Sequence, residues 1–121
     1  MSRHKSKSHR HKTKRRTAPG TAPGTLVADP HALPSSIQVL AYGRDSYVEK
    51  KLSRPDEVRD LIGHYPVLWV NVDGLGDILV LQKLAEIFDL HPLAMEDAVN
   101  VHQRAKVDQF GSRTFLVSHM V

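Results

Sequence analysis

His91-Pro92-Leu93-Ala94-Met95-Glu96-Asp97-Ala98-Val99-Asn100-Val101-His102-Gln103-Arg104-Ala105-Lys106-Val107 gathers a helix start, two adjacent carboxylates, a second histidine and a basic pair into one window. Proline at the first helical position costs nothing there, because its missing N–H would have no intrahelical partner and its fixed φ already suits a helix. A short helix is therefore expected from Pro92. Neighbouring side chains on a helix diverge by about 100°, so Glu96 and Asp97 cannot both face one partner surface. His91 is expected to help form the helix start, His102 to bond nearby backbone or carboxylate, and Arg104 and Lys106 to pair with surface acids.

Upstream, Ile78–Phe88 places Leu81, Leu84, Ala85 and Phe88 along one stripe, a helix whose apolar side covers a sheet. Asp73-Gly74-Leu75-Gly76-Asp77 before it supplies turn and cap chemistry. Val67-Leu68-Trp69-Val70-Asn71-Val72 is apolar almost throughout, the pattern of a central strand covered on both faces. Pro55–Gly63 reads as a helix capped by Ser53, with Asp56 and Glu57 near its positive end. Ile37–Tyr42 and Tyr47–Leu52, separated by Gly43-Arg44-Asp45, read as an antiparallel hairpin. Downstream, Lys106–Phe110, Gly111-Ser112 and Arg113–Val121 read as strand, turn and strand. The fold class is α/β of the α+β kind, a mixed sheet with covering helices.

Charge is unevenly distributed. Residues 1–16 carry Arg3, Lys5, Lys7, Arg10, Lys12, Lys14, Arg15 and Arg16 and no acid, which leaves nine bases against 13 acids, a formal −4, on the rest. The net +4 therefore describes a cationic tail on a mildly acidic body. Lys, Arg, His, Ser and Thr cannot bury enough surface to offset ordering, so residues 1–25, with the Thr-Ala-Pro-Gly repeat at their end, are expected to form a disordered basic tail and linker. The folded part is expected to begin near Leu26 or Ser36. The absence of cysteine excludes disulfides and thiolate metal sites. No apolar run approaches the roughly 18 residues of a membrane helix, so this chain alone is expected to be soluble and cytoplasmic. Its apolar final strand points to a fragment of a longer product.

Chemistry in the window centres on the carboxylates. Magnesium is a hard cation that keeps several waters and is held by one or two protein carboxylates, so one aspartate can be half of a site completed elsewhere. The spacing of His91 and His102 around the acids fits no zinc pattern. No nucleophile is accompanied by a base and no glycine-rich loop cradles phosphate, so an enzyme is not expected.

Several segments together resemble the N-terminal cytoplasmic domain of CorA-type magnesium and cobalt transporters. They are Trp69-Val70-Asn71, the helix ending in Ile87-Phe88-Asp89-Leu90, His91-Pro92-Leu93, Glu96-Asp97, Asn100-Val101-His102-Gln103-Arg104, Lys106-Val107 and Phe115-Leu116-Val117, with Pro23-Gly24-Thr25-Leu26-Val27 upstream. Ala105 departs from the family, which commonly has proline there. The resemblance makes residues 26–121 the N-terminal part of such a domain. It implies a homopentameric ion transporter at the cell membrane, this part lying on the cytoplasmic face. Asp97 then faces the neighbouring subunit and shares a regulatory Mg2+ with it, Co2+ being a second possible ion. Glu96 matches a weaker regulatory position, and His91, Pro92, Asn100, His102, Gln103, Arg104 and Lys106 shape and support the helix. The partner aspartate, both membrane helices and the Gly-Met-Asn pore signature would follow the last residue. The basic tail then suits contact with anionic lipid head groups. The competing reading, a nucleic-acid-binding protein acting through that tail, is opposed by the acidic body and by the lack of interleaved aromatics.

Overall fold

A computed structural model describes Ala22 and residues 25–121; the expected basic tail and most of the linker lie outside the described residues. The architecture is α+β. β1 (Ser36–Tyr42), β2 (Tyr47–Leu52) and β3 (Val67–Asp73) form one sheet, α1 (Ile78–Phe88) and α2 (Pro92–Val99) follow, and β4 (Lys106–Phe110) pairs with β5 (Arg113–Val117) in a second sheet. Every described pairing is antiparallel, so two antiparallel sheets stand where a single mixed sheet was expected.

The hairpin forms as its alternation dictates. Tyr42 pairs with Tyr47 and Ile37 with Leu52, and the Gly43 N–H donates to the Ser46 carbonyl at 2.9 Å to close the turn. Ile37, Val39 and Ala41 point to one face, opposite Val72, Val70 and Leu68 of β3, and that face is the buried one. α1 covers it with Leu84, and Val58 and Leu61 close its end, so Ile37, Val39, Leu52, Val58, Leu61 and Leu84 make one core. A second cluster, Leu81, Met95 and Val99, seats α2 on α1, and Val72 touches both clusters.

β3 departs from its expected place. The strand order is β2-β1-β3, so the hairpin strand β1 is central and β3 is an edge. Its alternate residues face away from α1, leaving Trp69 62% exposed beside Leu40 of β1, and the expected cover on both faces is absent among the described residues. An unbroken apolar run cannot distinguish a strand covered on two sides from one with an open apolar face.

The expected helix at Pro55–Gly63 is a 3-10 helix, Pro55–Asp60, begun by Arg54 and not by Ser53. Glu57 supplies the cap: its Oε2 accepts the Ser53 N–H at 2.7 Å and the Arg54 N–H at 2.8 Å. The Arg54 N–H bond above all holds the Glu57 carboxyl below its ordinary value of 4.5, against the opposing effect of desolvation. A depressed folded-state pKa stabilises above the unfolded value and loses that contribution as pH falls through the folded one. Glu57→Gln should thus lower the urea midpoint at pH 7, and the difference from wild type should shrink once the pH drops below 4.5.

Asp77 begins α1 but its side chain caps no helical N–H. The carboxylate turns away to accept the Ser35 N–H at 2.8 Å, while the Ser35 hydroxyl donates to the Gly74 carbonyl at 2.8 Å and the Gly76 N–H to the Leu33 carbonyl at 2.8 Å. The segment before β1 is thereby laced to the loop after β3.

Candidate functional site

The local chemistry of α1 and α2 builds the site. α1 ends at Asp89, which adopts the left-handed conformation at φ 49° and lets Leu90 N–H reach back to the Ala85 carbonyl at 2.9 Å. The chain then turns directly into α2. His91 is its N-cap, with Nδ1 accepting the Leu93 N–H at 3.1 Å, so the ring proton sits on Nε2. The same ring stacks on Phe110 of β4 at 4.6 Å between centroids. The expected start at His91-Pro92 is therefore present, and the histidine cap also fastens α2 to the second sheet.

Met95 and Val99 lie one turn apart and face the core, so Asp97, two residues from each, lies on the opposite side of α2. After Asn100 the chain reverses, the His102 N–H donating to Asn100 Oδ1 at 3.5 Å, and returns beside the helix as β4. Alternation then places Lys106, Asp108 and Phe110 on the same face of the hairpin as Val117, Phe115 and Arg113. This face looks toward α2. Lys106 Nζ lies 2.7 Å from Asp97 Oδ2 and 3.0 Å from Asp108 Oδ2, and 5.9 Å above the centre of the Phe115 ring. Gln103 Nε2 donates to Asp97 Oδ1 at 3.2 Å. Arg113 Nη2 anchors the other end of the hairpin by donating to the Phe88 carbonyl at 2.6 Å, against the negative end of α1.

The Asp97 carboxylate is consequently held from both sides. Its hydrogen bond to Lys106, and then that of Asp108, keep the Lys106 ammonium protonated above the ordinary lysine range, with desolvation opposing. The Asp97 side chain remains 27% exposed and borders an open groove with Asn100, Gln103, Ser118 and His119, whose ring lies 3.0 Å from the Gln103 carbonyl. Glu96, one position earlier, is half-buried, and Arg104 is exposed on the returning loop.

The structure thus brings Asp97, Gln103 and Lys106 together and leaves His91 apart on the Phe110 ring. No group of three or more His, Cys, Asp or Glu side chains among the described residues could hold a metal ion. The Asp97 carboxylate is the kind of hard oxygen ligand a hydrated divalent cation takes, and its two oxygens face nitrogen donors, the Lys106 ammonium on Oδ2 and the Gln103 amide on Oδ1. Sequence reasoning missed Asp108 as the second acceptor for Lys106, although its place two residues along the same strand carried the signal. Arg113 on the Phe88 carbonyl left no local trace.

No family model matches the chain. The cobalt/magnesium transport protein CorA of Thermotoga maritima is 34% identical to it over 102 residues, which is 84% of this chain and 29% of the relative. The match is that expected of a partial CorA-type domain. A stretch of 102 residues within 121 must include residues 20–102, so the whole first sheet, α1 and α2 with Glu96 and Asp97 lie within the matched stretch. The chain spans less than a third of the relative's length. No helix of the described residues is long and apolar enough to cross a membrane.

Proposed function

We propose that this CorA-type segment is the divalent-cation-sensing part of a magnesium/cobalt transporter, lying on the cytoplasmic face of the cell membrane. Asp97 contributes one carboxylate to a regulatory Mg2+ site that a neighbouring subunit of a homopentamer completes, with Co2+ an alternative ion and Glu96 a weaker second ligand. The observation that carries this reading is the similarity to a cobalt/magnesium transport protein over a stretch that includes α2.

The geometry is in keeping with it. Asp97 lies on the side of α2 away from the core, part-exposed beside an open groove. Carboxylates from two subunits repel across an interface, and a shared divalent ion turns that repulsion into attraction. Ion occupancy then biases any equilibrium in which the two subunits approach or separate. Transport itself belongs to the membrane-embedded remainder, and the segment takes no catalytic part. The alternative role in nucleic-acid binding rests on a tail outside the described residues, and nothing in the folded part favours it.

The test is Asp97→Asn in the membrane-embedded parent that this reading requires. Half-maximal protection of the cytoplasmic part from protease should then need about tenfold more Mg2+, or protection should vanish. Unchanged magnesium dependence would remove Asp97 from the site.

A further inference from the structure

We propose that Lys106 is a resident counter-ion for Asp97, competing with the divalent cation and passing to Asp108 when the cation binds. The proposal rests on the reading of Asp97 as a ligand and identifies what sets that ligand's affinity.

Lys106 Nζ bridges two carboxylates, at 2.7 Å on Asp97 and 3.0 Å on Asp108. An ammonium has three donors and no acceptor, so it serves both oxygens at once and leaves either without becoming unpaired. Asp108 is on the same strand face two residues along, and the Phe115 ring lies beneath the ammonium at 5.9 Å, so the lysine has a resting place that does not involve Asp97. Gln103 differs: it holds Asp97 Oδ1 through its amide N–H at 3.2 Å and brings no net charge.

A divalent ion on Asp97 would place its double charge a few ångströms from the ammonium, and the two repel. The pair is 31% and 27% exposed, so solvent moderates the effect without abolishing it. In the absence of the ion, Lys106 neutralises Asp97 and keeps α2 tied to β4. In its presence the lysine moves onto Asp108, and that tie is exchanged for a bond to the ion. The length of the Lys106 side chain and its second acceptor make the exchange local, requiring no movement of the hairpin.

The experiment titrates MnCl2, followed by MgCl2, into the isotope-labelled 121-residue chain and follows the backbone amide signals of Asp97, Asn100 and Gln103. Broadening by Mn2+ detects even weak occupancy, and Mg2+ shifts the same signals. Lys106→Met should tighten binding about three- to tenfold, the size expected for removing one positive charge next to a divalent ion in a part-exposed setting. Lys106→Arg should stay within about twofold of wild type, and Lys83→Met, which removes a charge remote from Asp97, should change nothing. Asp108→Asn should weaken binding by holding Lys106 on Asp97, and most of that loss should disappear in the Lys106→Met background.

A merely structural lysine predicts the reverse sign, because loosening the site weakens binding. Unchanged or weaker binding in Lys106→Met, with binding still abolished by Asp97→Asn, overturns the counter-ion proposal and leaves the ligand reading intact. An equal loss from Asp108→Asn with and without Lys106 overturns the exchange between the two carboxylates. If Asp97→Asn leaves the titration unaltered, the ligand reading fails and the proposal with it. Should Lys106→Met lose its dispersed amide spectrum, Lys106→Gln serves the same comparison.

Discussion

Alanine at Gly74 should lower the stability of the chain by about 3 kcal/mol or more, read as the shift in urea and thermal unfolding followed by far-ultraviolet circular dichroism. Two independent causes add. Gly74 has φ +84°, a conformation in which a Cβ alone costs roughly 1–2 kcal/mol. The added atom would also collide with the Pro34 carbonyl oxygen and stand 2.8 Å from that of Leu33. Both are backbone atoms, so no side chain can swing aside. They also belong to the segment that Ser35 and Gly76 tie to this loop, and the collision would break those bonds as well. Gly63 separates the two causes: its φ is +81° but nothing lies within 4 Å of an added Cβ. Gly63→Ala should therefore show the conformational cost alone. Equal effects at the two positions would mean that the packing of Pro34 on Gly74 contributes nothing.

Leu84→Ala should cost about 2–5 kcal/mol, the range for deleting a buried leucine side chain into a core that relaxes only in part. Leu84 is 5% exposed and is the buried residue that α1 gives to the cluster formed with Ile37, Val39, Leu52, Val58 and Leu61, with Val80, Ile87 and Phe88 packed around it. Leu79, on the same helix and 81% exposed, is the matched control and should change stability by no more than about 0.5 kcal/mol on truncation. The loss at Leu84 bears on the candidate site too. α1 is the platform on which Leu81 holds Met95 and Val99, so a loosened α1 should carry α2 and Asp97 with it. Amide hydrogen exchange in Leu84→Ala should then quicken in α2 as well as in α1.

Much of this fold was legible because its signals are local. Alternation in Ile37–Tyr42 and Tyr47–Leu52 with a glycine turn between them gives the hairpin, the stripe of Leu81, Leu84, Ala85 and Phe88 gives α1, and His91-Pro92 gives the start of α2. The parts that were not legible depend on distant partners. Which strand is central is decided by β1 pairing on both sides, and nothing inside Val67–Val72 encodes that. The 3-10 helix shares its three-residue spacing with the first turn of an α-helix, and its cap went to Glu57, four residues beyond Ser53. At the candidate site, the place of Glu96 and Asp97 on a short helix followed from the residues themselves. The grip of Lys106 on Asp97, nine residues away, needed the reversal at Asn100 and the return of β4.

The two outer strands of the first sheet are unlike, and the difference gives the sheet a direction. β2 carries Glu49, Lys50 and Lys51 in succession, and charges of this kind, lysine above all, deter a further strand from adding alongside. β3 runs Val67-Leu68-Trp69-Val70-Asn71-Val72 before its first charge at Asp73, and its outer row of backbone N–H and C=O groups is unpaired among the described strands. Growth of the sheet is therefore favoured on one side. A strand joining it, whether supplied by the same polypeptide or by another molecule, would find open backbone groups next to Trp69, whereas the charged flank of β2 discourages addition on the other side.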